Sequence, residues 1–155
     1  MLLVDLRQLR EGPVETSGSL PVGDEAFRGL EFELADPVEV EGRLQVTGDG
    51  EYYWHATIRG RVRGECRRCL ADVFVPVDTE IRVLFSHNPD SDDPGIYPLA
   101  GRATQVDLGE AVREELALAV PNFLLCREGC AGLCPQCGTN LNAGPCACSG
   151  PAVTV

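Results

Sequence analysis

The chain has 155 residues, room for one domain and a small appendage, and 44% of them are hydrophobic, enough for a modest core. Its 24 acidic and 13 basic residues leave a formal net charge of -11, and every basic residue is an arginine; such a chain is repelled by nucleic acid unless its arginines cluster. No stretch approaches the ~20 apolar residues of a membrane span, and Met1-Leu2-Leu3-Val4-Asp5-Leu6-Arg7 carries charge too early for a signal peptide. The expected setting is therefore the reducing cytoplasm, where cysteines serve as thiolate ligands rather than disulfides.

Residues 1–36 carry little pattern. Gly12-Pro13 and Thr16-Ser17-Gly18-Ser19 interrupt them, and Leu30-Glu31-Phe32-Glu33-Leu34 alternates like a short strand. The next stretch is clear. Val38, Val40, Leu44 and Val46 alternate with Glu39, Glu41, Arg43, Gln45 and Thr47, which predicts a strand with one buried and one wet face. Gly48-Asp49-Gly50 is a turn signal. A return strand repeats the parity, with Trp54, Ala56, Ile58 and Val62 on one face and Tyr53, His55, Thr57, Arg59, Arg61 and Arg63 on the other. A three-residue loop pairs Thr47 with Glu51 and sets Glu39 opposite Arg59, so that like faces coincide.

A third strand follows over 70–85. Ala71, Val73, Val75, Val77, Ile81, Val83 and Phe85 share its apolar face, Asp72, Asp78, Glu80 and Arg82 the other, and Pro76 signals an edge or a bulge. Residues 86–104 read as a loop. Asn88-Pro89-Asp90-Ser91-Asp92-Asp93-Pro94-Gly95 is the candidate mobile segment, with too few regularly spaced carboxylates for a hard cation. A helix is expected over 107–120. Asp107 caps it, Glu110 stands three residues on, Leu108, Val112, Leu116 and Ala119 form its apolar stripe, and Pro121 ends it.

Cysteine spacing carries the chemistry. Eight cysteines form four close pairs: Cys66 and Cys69 between the second and third strands, then Cys126 and Cys130, Cys134 and Cys137, and Cys146 and Cys148. Two thiolates a few residues apart can grip one tetrahedral ion, and four such pairs make two four-thiolate zinc sites. In Cys134-Pro135-Gln136-Cys137-Gly138 the proline stiffens the turn and the glycine permits positive φ, as a zinc knuckle requires. The favoured assignment puts Cys134, Cys137, Cys146 and Cys148 in one site, and Cys66, Cys69, Cys126 and Cys130 in another built across the fold. The alternative is a local site of Cys126, Cys130, Cys134 and Cys137, which strands the outer pairs.

Rival chemistries fit less well. Cys130, Cys134 and Cys137 share the iron–sulfur spacing of radical SAM enzymes, but those are far larger barrels. A redox role for Cys66 and Cys69 lacks the helix N-terminus that lowers a thiol pKa. His55 and His87 show no metal or catalytic spacing. Filling both sites would take the net charge to about -15. Against that trend, Arg59, Arg61, Arg63, Arg67 and Arg68 fall within ten residues. They are the candidate nucleic-acid contacts, although Glu39 and Glu41 stand close enough to neutralise part of the stripe.

Three segments resemble the bacterial YceD family of large ribosomal RNA subunit accumulation proteins: Gly64-Glu65-Cys66-Arg67-Arg68-Cys69-Leu70, the helix from Val106 to Pro121, and Cys130-Ala131-Gly132-Leu133-Cys134-Pro135-Gln136-Cys137-Gly138-Thr139-Asn140-Leu141-Asn142. Asp5-Leu6-Arg7-Gln8-Leu9 is similar too. The resemblance implies a cytoplasmic, non-enzymatic factor needed for normal levels of large-subunit ribosomal RNA. Its partner would be that RNA or a basic large-subunit ribosomal protein, with no membrane and no small-molecule substrate. It carries the family's cysteine pattern onto Cys66, Cys69, Cys126, Cys130, Cys134 and Cys137, with Cys146 and Cys148 marking a cysteine-rich form.

The expected fold is a β-rich α+β domain, an antiparallel meander or partial barrel with one packed helix over residues 1–125. A cysteine-rich, zinc-binding tail over 126–155 completes it. Both zinc ions would be structural.

Overall fold

The computed structural model describes residues 2–87, 93, 95–146 and 148. Eight strands and one α-helix are described: β1 (Leu3–Asp5), β2 (Val14–Leu20), β3 (Glu33–Leu34), β4 (Val38–Gly48), β5 (Glu51–Glu65), β6 (Asp72–Ser86), β7 (Ile96–Pro98), β8 (Gln105–Asp107) and α1 (Gly109–Ala119). The alternation read between residues 38 and 85 becomes β4, β5 and β6, a meander at the centre of an open mixed sheet ordered β2-β4-β5-β6-β7. Antiparallel pairing joins all of these except β7, which runs parallel to β6. A separate two-stranded sheet joins β1 to β8.

Register follows the burial pattern. Glu39 lies opposite Arg59 and Gly42 opposite Ala56, as the parity requires. The turn differs by one residue. The ladder shifts between Val46 and Gly48, so Gly48 rather than Thr47 pairs with Glu51. Thr47 is the bulged residue, and a two-residue Asp49-Gly50 turn with Gly50 at φ 70° closes the hairpin. Gly42 permits the close approach of β4 and β5, since a Cβ there would stand 2.6 Å from the His55 carbonyl oxygen.

One face of the sheet holds the core. Val38, Val40, Leu44, Trp54, Ile58, Val62 and Ile81 are fully buried there. Val46, on the same parity, is 52% exposed near the hairpin end, and Ala71 falls outside β6 and is exposed. Pro76 sits where β6 is an edge, because β7 covers only Leu84 to Ser86.

The weakly patterned N-terminal segment holds more structure than its composition suggests. β2 runs straight through Thr16-Ser17-Gly18-Ser19 and pairs with β4 along seven residues. Its register is held inside by Thr16, whose Oγ1 accepts a 2.8 Å hydrogen bond from the buried Trp54 Nε1–H. Of the expected strand over 30–34, only Glu33–Leu34 forms, against β5. Within the expected loop over 86–104, β7 adds to the main sheet. The acidic segment expected to be mobile falls largely on residues 88–92 and 94, outside the described residues.

α1 packs its Ala111, Val112 and Leu116 into the core, and Leu108 just before it is fully buried. Ala119 is exposed instead, and Val120 takes its place. Asp107 acts one position before the cap, where its Oδ1 accepts from the Gly109 N–H at 2.9 Å. No described helix is long and apolar enough to cross a membrane.

Candidate metal centres

The hairpin between β5 and β6 ends in a tight knuckle. The Cys66 N–H donates to the Ala71 carbonyl at 2.8 Å, and the Leu70 N–H returns to the Cys66 carbonyl at 2.9 Å. Leu70 takes a left-handed φ of 62°, which costs a non-glycine residue about 1–2 kcal/mol. The second knuckle repeats the geometry with the residue suited to it. There the Gly138 N–H reaches the Cys134 carbonyl at 2.9 Å, and Gly138 sits at φ 74°. Each knuckle aims two sulfurs at one point from a rigid base.

Tertiary contacts complete the first site. The Arg67 N–H donates to the Leu124 carbonyl at 2.8 Å, drawing the chain after α1 against the first knuckle. Arg68 Nη1 donates to the Cys130 carbonyl at 3.1 Å. The sulfurs of Cys66, Cys69, Cys126 and Cys130 then lie within 4.8 Å of one another, and so do those of Cys134, Cys137, Cys146 and Cys148. This is the grouping that the favoured assignment expects. The local alternative of Cys126, Cys130, Cys134 and Cys137 is not a group among the described residues.

Distances suit an ion and exclude a bridge. Cys66 Sγ lies 3.7 Å from Cys130 Sγ, and Cys69 Sγ 3.6 Å from Cys126 Sγ. Four sulfurs at about 2.3 Å from a central zinc form a tetrahedron with edges of about 3.8 Å. A disulfide needs about 2.05 Å, and all eight cysteines are free.

Electrostatics point the same way. The Cys66 thiol is lowered to about 6, first by the Cys69 backbone N–H, with those of Cys126 and Arg68 adding to it against the cost of burial. Cys134 is lowered by the N–H groups of Cys137 and Gln136. Cys137 falls to about 6, chiefly through the Thr139 side chain and backbone N–H. Cys126 is instead pushed up to about 12, by desolvation and then by the neighbouring sulfurs. Cys148 also rises to about 12, first through Cys137. Four crowded thiols cannot all ionise unless a cation compensates them. Amides aimed at the first sulfur of each knuckle are the donors a bound thiolate needs. Both clusters are therefore able to hold a metal ion, and four sulfurs per ion leave no open position.

The two centres differ in exposure. Cys66, Cys69 and Cys130 are buried with Val73, Leu125 and Leu133 in a small core of their own. In the second centre only Cys134 is buried, and Cys137 is exposed.

Asn142 joins the centres, a role that sequence reasoning missed. From the loop of the second it donates through Nδ2 to Cys130 Sγ of the first at 3.3 Å, while its Oδ1 accepts from the Ala131 N–H at 2.8 Å and from Arg127 Nη2 at 2.7 Å. The only sequence signal was a pair of asparagines, Asn140 and Asn142, between two cysteine pairs.

The candidate nucleic-acid arginines all have partners within the chain. Arg59 Nε lies 3.5 Å from Asp78, Arg61 Nε 2.9 Å from Asp36, and Arg63 Nε 3.7 Å from Glu33 and 3.8 Å from Asp72. Glu39, opposite Arg59 in the ladder, instead accepts from Ser19 Oγ at 2.8 Å. Arg61 also lies over the Phe74 ring and Arg67 over the Phe123 ring. His55 meets Glu80 at 3.6 Å, and His87 Nδ1 lies 2.9 Å from the Ala100 carbonyl oxygen. Neither histidine joins a cysteine cluster.

A family model described as large ribosomal RNA subunit accumulation protein YceD matches residues 54–153, a span that holds all eight cysteines. The chain belongs to the YceD family. It is 36% identical over 124 residues to an uncharacterised protein of Mycobacterium tuberculosis strain H37Rv, covering 76% of this chain and 59% of that one. Against the Mycobacterium leprae protein the identity is 26% over 127 residues, with 76% and 56% covered. Against YlbN of Bacillus subtilis, also uncharacterised, it is 24% over 139 residues, with 88% and 79% covered. The chain thus spans less than two thirds of the mycobacterial relatives. No solved structure matches it.

Proposed function

We propose that this YceD-family protein is a ribosome-biogenesis factor that supports accumulation of large-subunit ribosomal RNA. It works by binding, without catalysis, on a scaffold held by two structural zinc ions. The observation that carries this reading is the gathering of all eight cysteines into two closed four-sulfur sets within the span that matches the family. Iron would fit the same sulfur geometry, but zinc has no redox chemistry and suits a purely structural role. The partner is ribosomal RNA or a basic ribosomal protein, and it meets a chain of formal net charge -11 before metal is bound.

Ribosomal RNA levels test this in cells. Depleting the protein should lower the ratio of large- to small-subunit RNA. Wild type supplied in trans should restore it, and Cys66→Ser supplied at equal abundance should not. An unchanged ratio on depletion would refute the reading.

A further inference from the structure

Two cavities adjoin along the C-terminal end of β5. One of about 350 Å³ lies between segment 29–32, the exit of α1 and Leu124, and a second of about 360 Å³ continues it toward Asp72. Glu31, Phe32, Gly64 and Glu65 line both, so they form one groove. Leu124 packs closely onto Gly64 in its wall, where a Cβ would run into Leu124 Cδ1. The outer wall is tied to α1 by Arg113, whose Nη1 donates to the carbonyls of Ala26 and Arg28.

The groove has an apolar floor and an acidic rim. Leu30, Phe32 and Leu124 are half-buried within it, and Phe123, whose ring lies against the lining Arg67, is 59% exposed. Glu31 and Glu65 are exposed and belong to no ion pair among the described residues. Glu33 and Asp72 share one guanidinium, Arg63. Arg67, the other cation of the lining, lies 4.6 Å from the centre of the Phe123 ring. The lining therefore carries four carboxylates against two guanidiniums, a local excess of negative charge.

We propose that this groove binds an arginine- or lysine-rich, partly apolar segment of a protein partner. The inference rests on the binding-factor reading above and names the class of its partner. Complementary charge steers and orients such a segment, and apolar side chains on it would cover Phe32, Leu124 and Phe123. Phosphate backbone is disfavoured on the same surface, because the rim repels it and the nearby arginine stripe is held by Asp36, Asp78, Glu33 and Asp72.

Fluorescence anisotropy with the full-length protein tests it, using three labelled probes: a peptide of alternating arginine and leucine, one of alternating glutamate and leucine, and polyuridine RNA. Only the first should bind. Glu31→Arg/Glu65→Arg should weaken it at least about tenfold, since two favourable charges become repulsive. Ala117→Trp, which fills the groove wall without changing charge, should weaken it too. Glu11→Arg/Glu41→Arg alters net charge equally outside the lining and should leave binding within about twofold of wild type.

Equal losses in the two double variants would overturn the proposal, as would no peptide binding. RNA binding that disappears in Arg61→Glu/Arg63→Glu would overturn it in favour of RNA. In depleted cells the variants separate the two claims. If Glu31→Arg/Glu65→Arg binds peptide as tightly as wild type while depletion still lowers the ribosomal RNA ratio, the groove is overturned and the factor reading stands. If depletion leaves ribosomal RNA unchanged while peptide still occupies the groove, the factor reading fails alone.

Discussion

Serine in place of Cys66 is expected to leave one metal ion per chain instead of two and to free the segment after α1 from the sheet. Cys66 is fully buried, and it receives more backbone donors than any other sulfur of its cluster. The first cluster joins the β5–β6 knuckle to Cys126 and Cys130, so an ion held there would be the main tie between sheet and tail. Structural zinc contributes about 10–16 kcal/mol in zinc-finger peptides near neutral pH. No contact seen in the tail approaches that, since Leu133 and Leu141 are its main apolar residues and both are only half-buried. Amide exchange should rise toward unfolded rates from Leu125 to Cys130, while β4 and β5, with Trp54 and Ile58 in the main core, keep their protection. Cys134→Ser should behave differently. It removes the second, more exposed ion and loosens residues 134–146, but leaves the buried centre filled. Loss of protection throughout β4 and β5 in either variant would show the centres to be part of the main core.

Chelation should reproduce both losses in sequence and reversibly. The second centre is the more open, so a chelator should empty it first, and residues 134–146 should become sensitive to protease while the first knuckle still resists. Prolonged exposure should empty the buried centre and extend cleavage back to about residue 122. Returning zinc under reducing conditions should restore resistance, because the free ligands bind and fold together. Simultaneous release of both ions would mean that Asn142, which reaches Cys130 from the second loop, couples the centres more tightly than their exposure implies. Resistance that survives full removal of metal would mean that packing alone holds the tail.

How much of this was legible in the sequence differs by element. β4, β5 and β6 could be read because each has one dry and one wet face, and the period-two alternation then dictates both strand and register. The bulge at Thr47 could not, because a one-residue shift near a turn moves no core side chain to the wrong face. β2 was hidden by its composition. Thr16-Ser17-Gly18-Ser19 read as an interruption, yet Thr16 points inward and accepts from Trp54, 38 residues away. β7 and β8 are three residues each, too short for periodicity to register.

At the metal centres, the local pairs were visible because a knuckle is a local structure. The partnership of Cys66 and Cys69 with Cys126 and Cys130 was reached by elimination, and the contacts that enforce it, Arg67 to Leu124 and Arg68 to Cys130, have no local signature. The arginine stripe was visible as well. Its neutralisation was only half visible, because Asp36 and Asp78 come from segments that meet it only in the folded sheet.

Native mass spectrometry of the reduced, full-length protein tests the central claim most directly. The mass should exceed that of the chain by two zinc ions with all eight thiols accounted for as ligands, and Cys134→Ser should carry one. A wild-type chain with one ion or none, or with masses lowered by oxidised cysteine pairs, would contradict the account.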